Sequence, residues 1–372
     1  MKRLLLLGGG HSHVEVLRQF GVRPIAGVDI TLVSPVRFAP YSGMLPGLIA
    51  GHYKHHECHI DLERLARFAG ARFLRTLSRD VDPARREVVL AEGPTIRYDI
   101  LSIDVGSTSA MAGIPGAAEN AIAVRPVETL LQAWNALIER AGANGLGMLA
   151  VVGSGAAGVE LLLAMQYRLA QLFERSTVRF VLVTDTDRLL IGHDPKVHSA
   201  FKRILSERQI ELHFVSRIAR VEPNVLVTVN GQRIAADAIV WATGAGAPPR
   251  LSETGLALDT AGFIAVNEHL QSISSPAVFA AGDCAMIGGY AYPKSGVYAV
   301  RQGPPLAANL RRSLAGAPLI AYRPQRRALA LISTGDKYAV ASYGSLAFES
   351  AWVWRWKDYI DRRFMAKYNV PA

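Results

Sequence analysis

The sequence is poor in cysteine. Among 372 residues there are two, Cys58 and Cys284, and no CxxC or CxxxxC pair. That excludes a disulfide framework as the source of stability and fits a cytoplasmic compartment. It also lacks zinc-finger spacing and the aromatic motif of RNA-recognition domains, so nucleic acid is not an expected partner. No apolar run reaches the roughly 18 residues that a bilayer-spanning helix needs. The opening leucine run stops after four residues at Gly8. It reads as a first strand rather than a signal peptide. Charged residues are 19% and hydrophobic residues 50% of the chain, which leaves no stretch with the composition of disorder. A chain of this length suits two or three domains.

The formal charge is +10. Basic residues gather late, at Arg311, Arg312, Arg323, Arg326, Arg327, Arg355, Lys357, Arg362 and Arg363. They point to a membrane surface or a charged partner.

The informative segments are glycine-rich. Lys2–Leu7 has strand length and runs into Gly8-Gly9-Gly10-His11-Ser12-His13, after which a helical pattern opens. Glycines in such a turn let the backbone approach a pyrophosphate, and the helix N-terminus offers bare N–H groups. Gly8, Gly10, His11 and Ser12 are therefore candidate dinucleotide contacts. The turn departs from the usual pattern twice. His13 stands where Gly or Ala is expected, and the next strand ends on Ser34 where a ribose-binding carboxylate is expected. A second strand, Met148–Val152, leads into a full GxGxxG with Gly153, Gly155 and Gly158. The strand after it ends at Thr184-Asp185, and Asp185 is the candidate for an adenosine ribose, which favours NADH over NADPH. Two such fingerprints, each between a strand and a helix, specify the fold far better than one.

Further on, Ala238–Trp241 runs into Ala242-Thr243-Gly244, and Val278-Phe279-Ala280-Ala281 leads to Gly282-Asp283. This order resembles the two-dinucleotide-binding-domain flavoproteins of the pyridine nucleotide-disulfide oxidoreductase superfamily. The resemblance implies FAD, with Gly282 and Asp283 at its ribityl chain. Residues 98–107 look like the first crossover out of the FAD domain. Its usual Ala-Thr-Gly is here Asp104-Val105-Gly106, with Gly106 retained, and Gly244 closes the second crossover. The expected fold is α/β with two Rossmann-like units. Residues 1–115 and 246–315 form a discontinuous FAD domain, 120–245 an inserted NAD(P) domain, and 316–372 a C-terminal strand hairpin and amphipathic helix.

Within the superfamily the redox cysteine pairs of disulfide reductases have no counterpart. The chain is similar to type II NADH dehydrogenases, which pass electrons from NADH to quinone. Glu160 matches the glutamate of their GxGxxGxE helix, near the nicotinamide. Residues 293–303 take the place of their quinone-side helix, of which Gln302 beside Arg301 survives. Residues 41–53, 322–327 and 354–365 also resemble the flavoprotein domain fused to selenide, water dikinase. Expected cofactors are accordingly FAD and NAD(P)H. The expected partner is a small-molecule electron acceptor, quinone-like first and a selenium or sulfur compound second. A non-enzymatic FAD-binding partner module is the third reading. Lys294 is expected at the flavin, where a cation stabilises negative charge on the reduced ring. Tyr298 is expected on the acceptor side. The segment His52, His55, His56, Cys58, His59 is read as a substrate-facing or surface loop rather than a metal site. The tail from Trp352 to Tyr368 mixes aromatics with Arg and Lys. That suits a peripheral contact with the inner face of a membrane, or a homodimer contact.

Overall fold

The computed structural model describes residues 1–370 apart from residues 174–176, 291 and 326. Arg326, one of the basic residues noted above, lies outside the described residues.

The chain is mixed α/β, built on two five-stranded parallel sheets. In the first, β1 (Lys2–Leu7) is central. It pairs on one side with β2 (Val28–Val33), then β3 (Arg72–Leu74). On the other side it pairs with β4 (Ile100–Ile103), then with Val278–Ala280. Leu4 to Leu7 are at most 5% exposed, as continuous apolar runs must be when a parallel sheet is covered on both faces. In the second sheet β5 (Ile122–Ala123) is the edge and β6 (Met148–Val152) is central. β7 (Arg179–Val183) and β8 (Glu211–His213) follow on one side of β6, and β9 (Ala238–Trp241) lies between β5 and β6. Val278–Ala280, which returns to the first sheet, is β10.

The two sheets repeat one plan. Each winds outward from its central strand, passes through a small antiparallel three-stranded sheet (78–97 in the first, 218–235 in the second), and returns on the other side of that strand. The order of strands therefore reverses beside β1 and beside β6. Such reversals open a crevice at the strands' carboxyl ends, where ligands of doubly wound sheets bind. Helix α1 (His11–Val22) leaves β1 at this crevice, and α2 (Ala156–Leu172) leaves β6.

Helix α3 (Gly296–Ala315) packs along α1, so closely that a Cβ on Gly303 would lie 2.7 Å from Cβ of Glu15. The C-terminal part is larger than the hairpin expected. β11 (Ala330–Ser333), β12 (Ala339–Tyr343) and β13 (Leu346–Ser350) form an antiparallel sheet, and α4 (Ala351–Ala366) crosses back over it. The turn after β11 needs a glycine. Gly335 has φ +89°, and a Cβ there would meet the Leu163 carbonyl of α2 at 2.2 Å. Among the described residues no helix is long and apolar enough to cross a membrane.

Candidate functional site

The glycine turns are superimposable in their contacts. Gly8 has φ +97° and its N–H donates to Val33; Gly153 has φ +118° and donates to Val183. A Cβ on Gly8 would strike the Asp104 carbonyl at 2.3 Å, and one on Gly153 the Ala242 carbonyl at 2.7 Å. Asp104 and Ala242 are thus the same position in the two halves, as are Ser34 and Thr184 at the strand ends. Gly106, Gly155 and Gly244 behave differently. A Cβ on any of them would meet nothing within 4 Å, so their backbone is open to solvent, and they follow the carboxyl ends of β4, β6 and β9. This is the cradle a dinucleotide requires. A second sign is His11, whose Nε2 is buried beside the first turn without a hydrogen-bond partner. Its ring faces Tyr41 at 5.7 Å and Phe364 at 6.3 Å. Burial holds its pKa below the ordinary imidazole value, against the attraction of Asp283.

The first turn is organised by Asp104, which sequence reasoning noted only as a departure. Its carboxylate is 2% exposed and accepts the N–H groups of Ser12 at 2.9 Å and His13 at 3.0 Å. It therefore caps α1 from a different strand. Burial raises its pKa to about 7, the nearby Asp283 adding to the effect and the two N–H bonds opposing it. Gly10 and Gly282 are small because of it: a Cβ on either would fall 2.2 Å from its Oδ1. Ser12 commits both polar groups internally, its hydroxyl donating to the Ala299 carbonyl at 2.7 Å. His13, also buried, bonds Gly8 O and Ser102 Oγ, and burial lowers its pKa to about 4. Ser34 is buried above the turn, its hydroxyl donating to Val36 O at 3.1 Å.

Asp283 sits at the mouth of the crevice. It accepts from Ser107 Oγ at 3.2 Å and faces Arg125 at 3.7 Å, while Arg125 also donates to Ser107 at 2.9 Å. Lys294 is close to this group but turned inward. Its ammonium donates to the Ala285 carbonyl and lies 4.2 Å from the Phe263 ring centre. Burial lowers its pKa, against the pull of Cys284 and Asp283. Tyr298 stacks on Tyr292 at 5.2 Å, and its hydroxyl donates to Gln325 O at 3.4 Å. Gln302 is buried and accepts the N–H of Gly282 at 2.6 Å. The N-terminus of α3 abuts the segment after β2: a Cβ on Gly296 would meet Ser42 Oγ at 2.6 Å.

Glu160 belongs to a separate cluster. Ser333 donates to its Oε1 from both N–H, at 2.7 Å, and Oγ, at 2.9 Å. Burial raises its pKa, opposed by Lys357. Lys357, counted from sequence among the surface cations, has a side chain only 12% exposed. It bonds Asp361 at 2.6 Å and the Gly43 carbonyl at 2.5 Å. Burial pushes its pKa down, but the carboxylates of Asp361 and Glu160 outweigh that and hold it above its ordinary value. Tyr41 stacks on Phe364 at 4.2 Å, and burial followed by Asp361 drives its hydroxyl far above the usual phenol range. The i,i+4 spacing of Lys357 and Asp361 looks like an exposed helix pair in sequence; only the fold buries it. Arg311 and Arg362 are likewise committed internally, to Gln19 O and to Glu57 and Asp358.

In the second half Thr184 is buried, and its hydroxyl meets Ser154 and Thr186, each at 2.8 Å. Asp185 is exposed. The histidine segment carries His55 and His59 stacked at 3.6 Å, with His59 Nδ1 bonded to the His55 carbonyl. Among the described residues no group of three or more His, Cys, Asp or Glu side chains is arranged to hold a metal ion. Both thiols are buried, which pushes Cys58 and Cys284 up to about 12.

Two strand reversals with a glycine cradle at each define an oxidoreductase fold with paired nucleotide sites. The pattern of the pyridine nucleotide-disulphide oxidoreductase family matches residues 2–303, and the chain belongs to that family. It is 27% identical over 305 residues to an NADH dehydrogenase-like protein of Mycobacterium tuberculosis, covering 77% of this chain and 73% of that one. It is 28% identical over 221 residues to the type II NADH:quinone oxidoreductase of Haemophilus influenzae, covering 52% of this chain and 50% of that one. The fold is shared with the sulfide:quinone oxidoreductase of Aquifex aeolicus (TM-score 0.82, 19% identity, 99% of this chain and 91% of that one). It is also shared with NDH2 of Plasmodium falciparum (TM-score 0.79, 15% identity, 100% and 99%).

Proposed function

We propose that the protein is an FAD-dependent NAD(P)H dehydrogenase delivering electrons to a quinone-like acceptor. The observation that carries this reading is the repeated crevice, with bare glycine backbone at Gly106 in the first half and at Gly155 and Gly244 in the second. Gly8, Gly10, His11, Ser34, Gly106, Gly282 and Asp283 would hold FAD, with Ser12 and Asp104 fixing the turn. Gly153, Gly155, Gly158 and Gly244 would hold the nicotinamide nucleotide. FAD, when bound, supplies the two-electron chemistry. The chain supplies charge and protons. The buried set Glu160, Lys357 and Asp361 would place hydrogen-bonded charge beside Tyr41, out of water: Ser333 holds Glu160, and Lys357 bonds Asp361 at 2.6 Å. Gly296, at the start of the helix that carries Tyr298, meets Ser42 of the same 40–44 segment. Two cysteines buried and poorly ionised do not support thiol chemistry.

The quinone-like acceptor is favoured by an apolar surface on the C-terminal part. Tyr343, Leu346, Phe348, Trp352 and Tyr359 are each 48–65% exposed, with Arg355 and Arg363 exposed on the same helix. Such a face suits the headgroup region of a membrane in which an apolar acceptor dissolves.

The test is anaerobic. NADH or NADPH is added to the purified flavoprotein and the flavin band at about 450 nm is followed. Rapid bleaching, reversed by a short-chain quinone, is expected. Bleaching that no quinone reverses would remove the acceptor from the reading, and a flavin that stays oxidised with both nucleotides would remove the dehydrogenase.

A further inference from the structure

Resting on the nicotinamide-binding reading, we infer that the second crevice accepts the 2′-phosphate of NADPH as readily as the 2′-hydroxyl of NADH, because the position that enforces the distinction is a threonine. In this fold the residue at the end of the second strand reaches the adenosine ribose, and a carboxylate there binds the 2′-hydroxyl and repels a 2′-phosphate. The internal repeat identifies that position. Gly8 donates to Val33 and is followed above by Ser34; Gly153 donates to Val183 and is followed above by Thr184. Thr184, not Asp185, turns toward the glycine turn, since its hydroxyl lies 2.8 Å from Ser154 Oγ. Thr186 is on the same side, 2.8 Å from Thr184 and 3.2 Å from Ser154. The strand ends at Val183 and the chain bends from Asp185 onward, held by Thr184 N–H to His213 O, Thr186 N–H to the Thr184 hydroxyl at 3.3 Å, and Val215 N–H to Thr186 O. Asp185, between the two threonines that meet Ser154, is exposed to water while Thr184 is buried. The cation that follows is no substitute for a phosphate clamp. Arg188 is exposed and already paired with Asp187 at 3.2 Å. The ribose edge of this reading is thus lined by neutral hydroxyls that are charged against neither ligand: Thr186 donates to the Arg188 carbonyl at 2.8 Å, and Ser154 and Thr184 bond each other at 2.8 Å.

A carboxylate at this edge discriminates on the order of tenfold to a hundredfold through one charged hydrogen bond. Its absence removes that factor. The experiment reads binding, not turnover. Equilibrium dialysis of the holoprotein with adenosine 5′-monophosphate and with adenosine 2′,5′-bisphosphate gives the ratio of the two dissociation constants. A ratio near one, and below about tenfold in favour of the monophosphate, is expected, and a larger one overturns the inference. Asp185→Ala is expected to change the ratio by less than about fivefold; a larger change would return the role to Asp185. Thr184→Glu, where it folds, is expected to shift the ratio against the bisphosphate by about tenfold or more, and an unchanged ratio in the folded variant also overturns it. Asp185→Ala carries the test if Thr184→Glu does not fold. Flavin bleaching by NADH and NADPH is scored separately. Nucleotide binding without bleaching would end the dehydrogenase reading and leave this one standing, whereas binding of neither probe alongside bleaching by NADH would overturn this inference and leave the dehydrogenase reading standing.

Discussion

Asp104→Asn is the substitution whose effect follows most directly from the geometry. The Asp104 carboxyl has a folded pKa of about 7 against an ordinary 3.8, with burial the main cause. A raised carboxyl pKa means that the folded state binds more protons than the unfolded state between those values. Stability therefore falls as pH rises through that window, and the full penalty is in place above about pH 7. A gap of about three pKa units corresponds to roughly 4 kcal/mol. Asparagine keeps an oxygen acceptor for the Ser12 and His13 N–H groups and cannot ionise. Its amide also needs a partner, so a net gain of about 2 kcal/mol at alkaline pH is expected rather than the whole penalty. Chemical unfolding of both proteins at about pH 5 and about pH 8.5 would measure it. The variant should be the more stable at the higher pH, with the advantage shrinking at the lower. His11, His13 and Asp283 face the same turn and are present in both proteins, so the difference reads the loss of the Asp104 carboxyl. An identical pH dependence in the two proteins would refute the idea that this carboxylate is held against its charge.

Glu160→Gln should keep the Ser333 bonds partly intact yet remove the buried negative charge facing Lys357. Acceptor turnover should fall by about tenfold or more while the flavin stays bound, and equal loss of flavin would make the role structural. Gly335→Ala forces a Cβ to 2.2 Å from the Leu163 carbonyl at φ +89°. It should cost about 2 kcal/mol or more in unfolding experiments and loosen the C-terminal sheet first. Glu15 is buried, which alone would raise its pKa. Bonds from Arg18, Gln19 and Tyr368 overcome that and hold it at about 2. Its contribution is present above its ordinary value of 4.5 and is lost as pH falls toward 2, so Glu15→Gln should flatten the acid limb of a stability profile. Replacing Leu346 and Trp352 by serine together should leave nicotinamide-driven flavin reduction unchanged and reduce cosedimentation with anionic lipid vesicles. Undiminished cosedimentation would place lipid contact elsewhere.

The sheets were legible because parallel strands buried on both faces are short apolar runs, and both central runs meet glycine at once. Lys2–Leu7, Met148–Val152 and Ala238–Trp241 fall where the sequence placed them. What hid was what long-range packing decides. Nothing local says that β13 would add a third strand to the C-terminal hairpin. Nor does it say that Lys357 would be drawn onto the Gly43 carbonyl and away from solvent. Asp104 was visible as an odd letter in a familiar motif. Its meaning required knowing that β4 lies against β1, which brings its carboxylate under the first turn of α1.

The two halves share a plan and differ where they meet a ligand. At the position touching the turn glycine, one has Asp104 and the other Ala242. At the strand end, one has Ser34 and the other Thr184. The first difference brings a carboxylate under the first turn; the second moves no charge, since a hydroxyl side chain stands at both strand ends. The first change makes the turn's stability respond to protons near neutrality. On the proposed reading, the second would leave recognition of the sugar to hydroxyl groups, which carry no charge. A site of that kind distinguishes its ligands by shape more than by sign, and the same holds for Ser34 as for Thr184. On the proposed reading, the second crevice would therefore be more tolerant of what is attached to the ribose than the glycine pattern alone suggests.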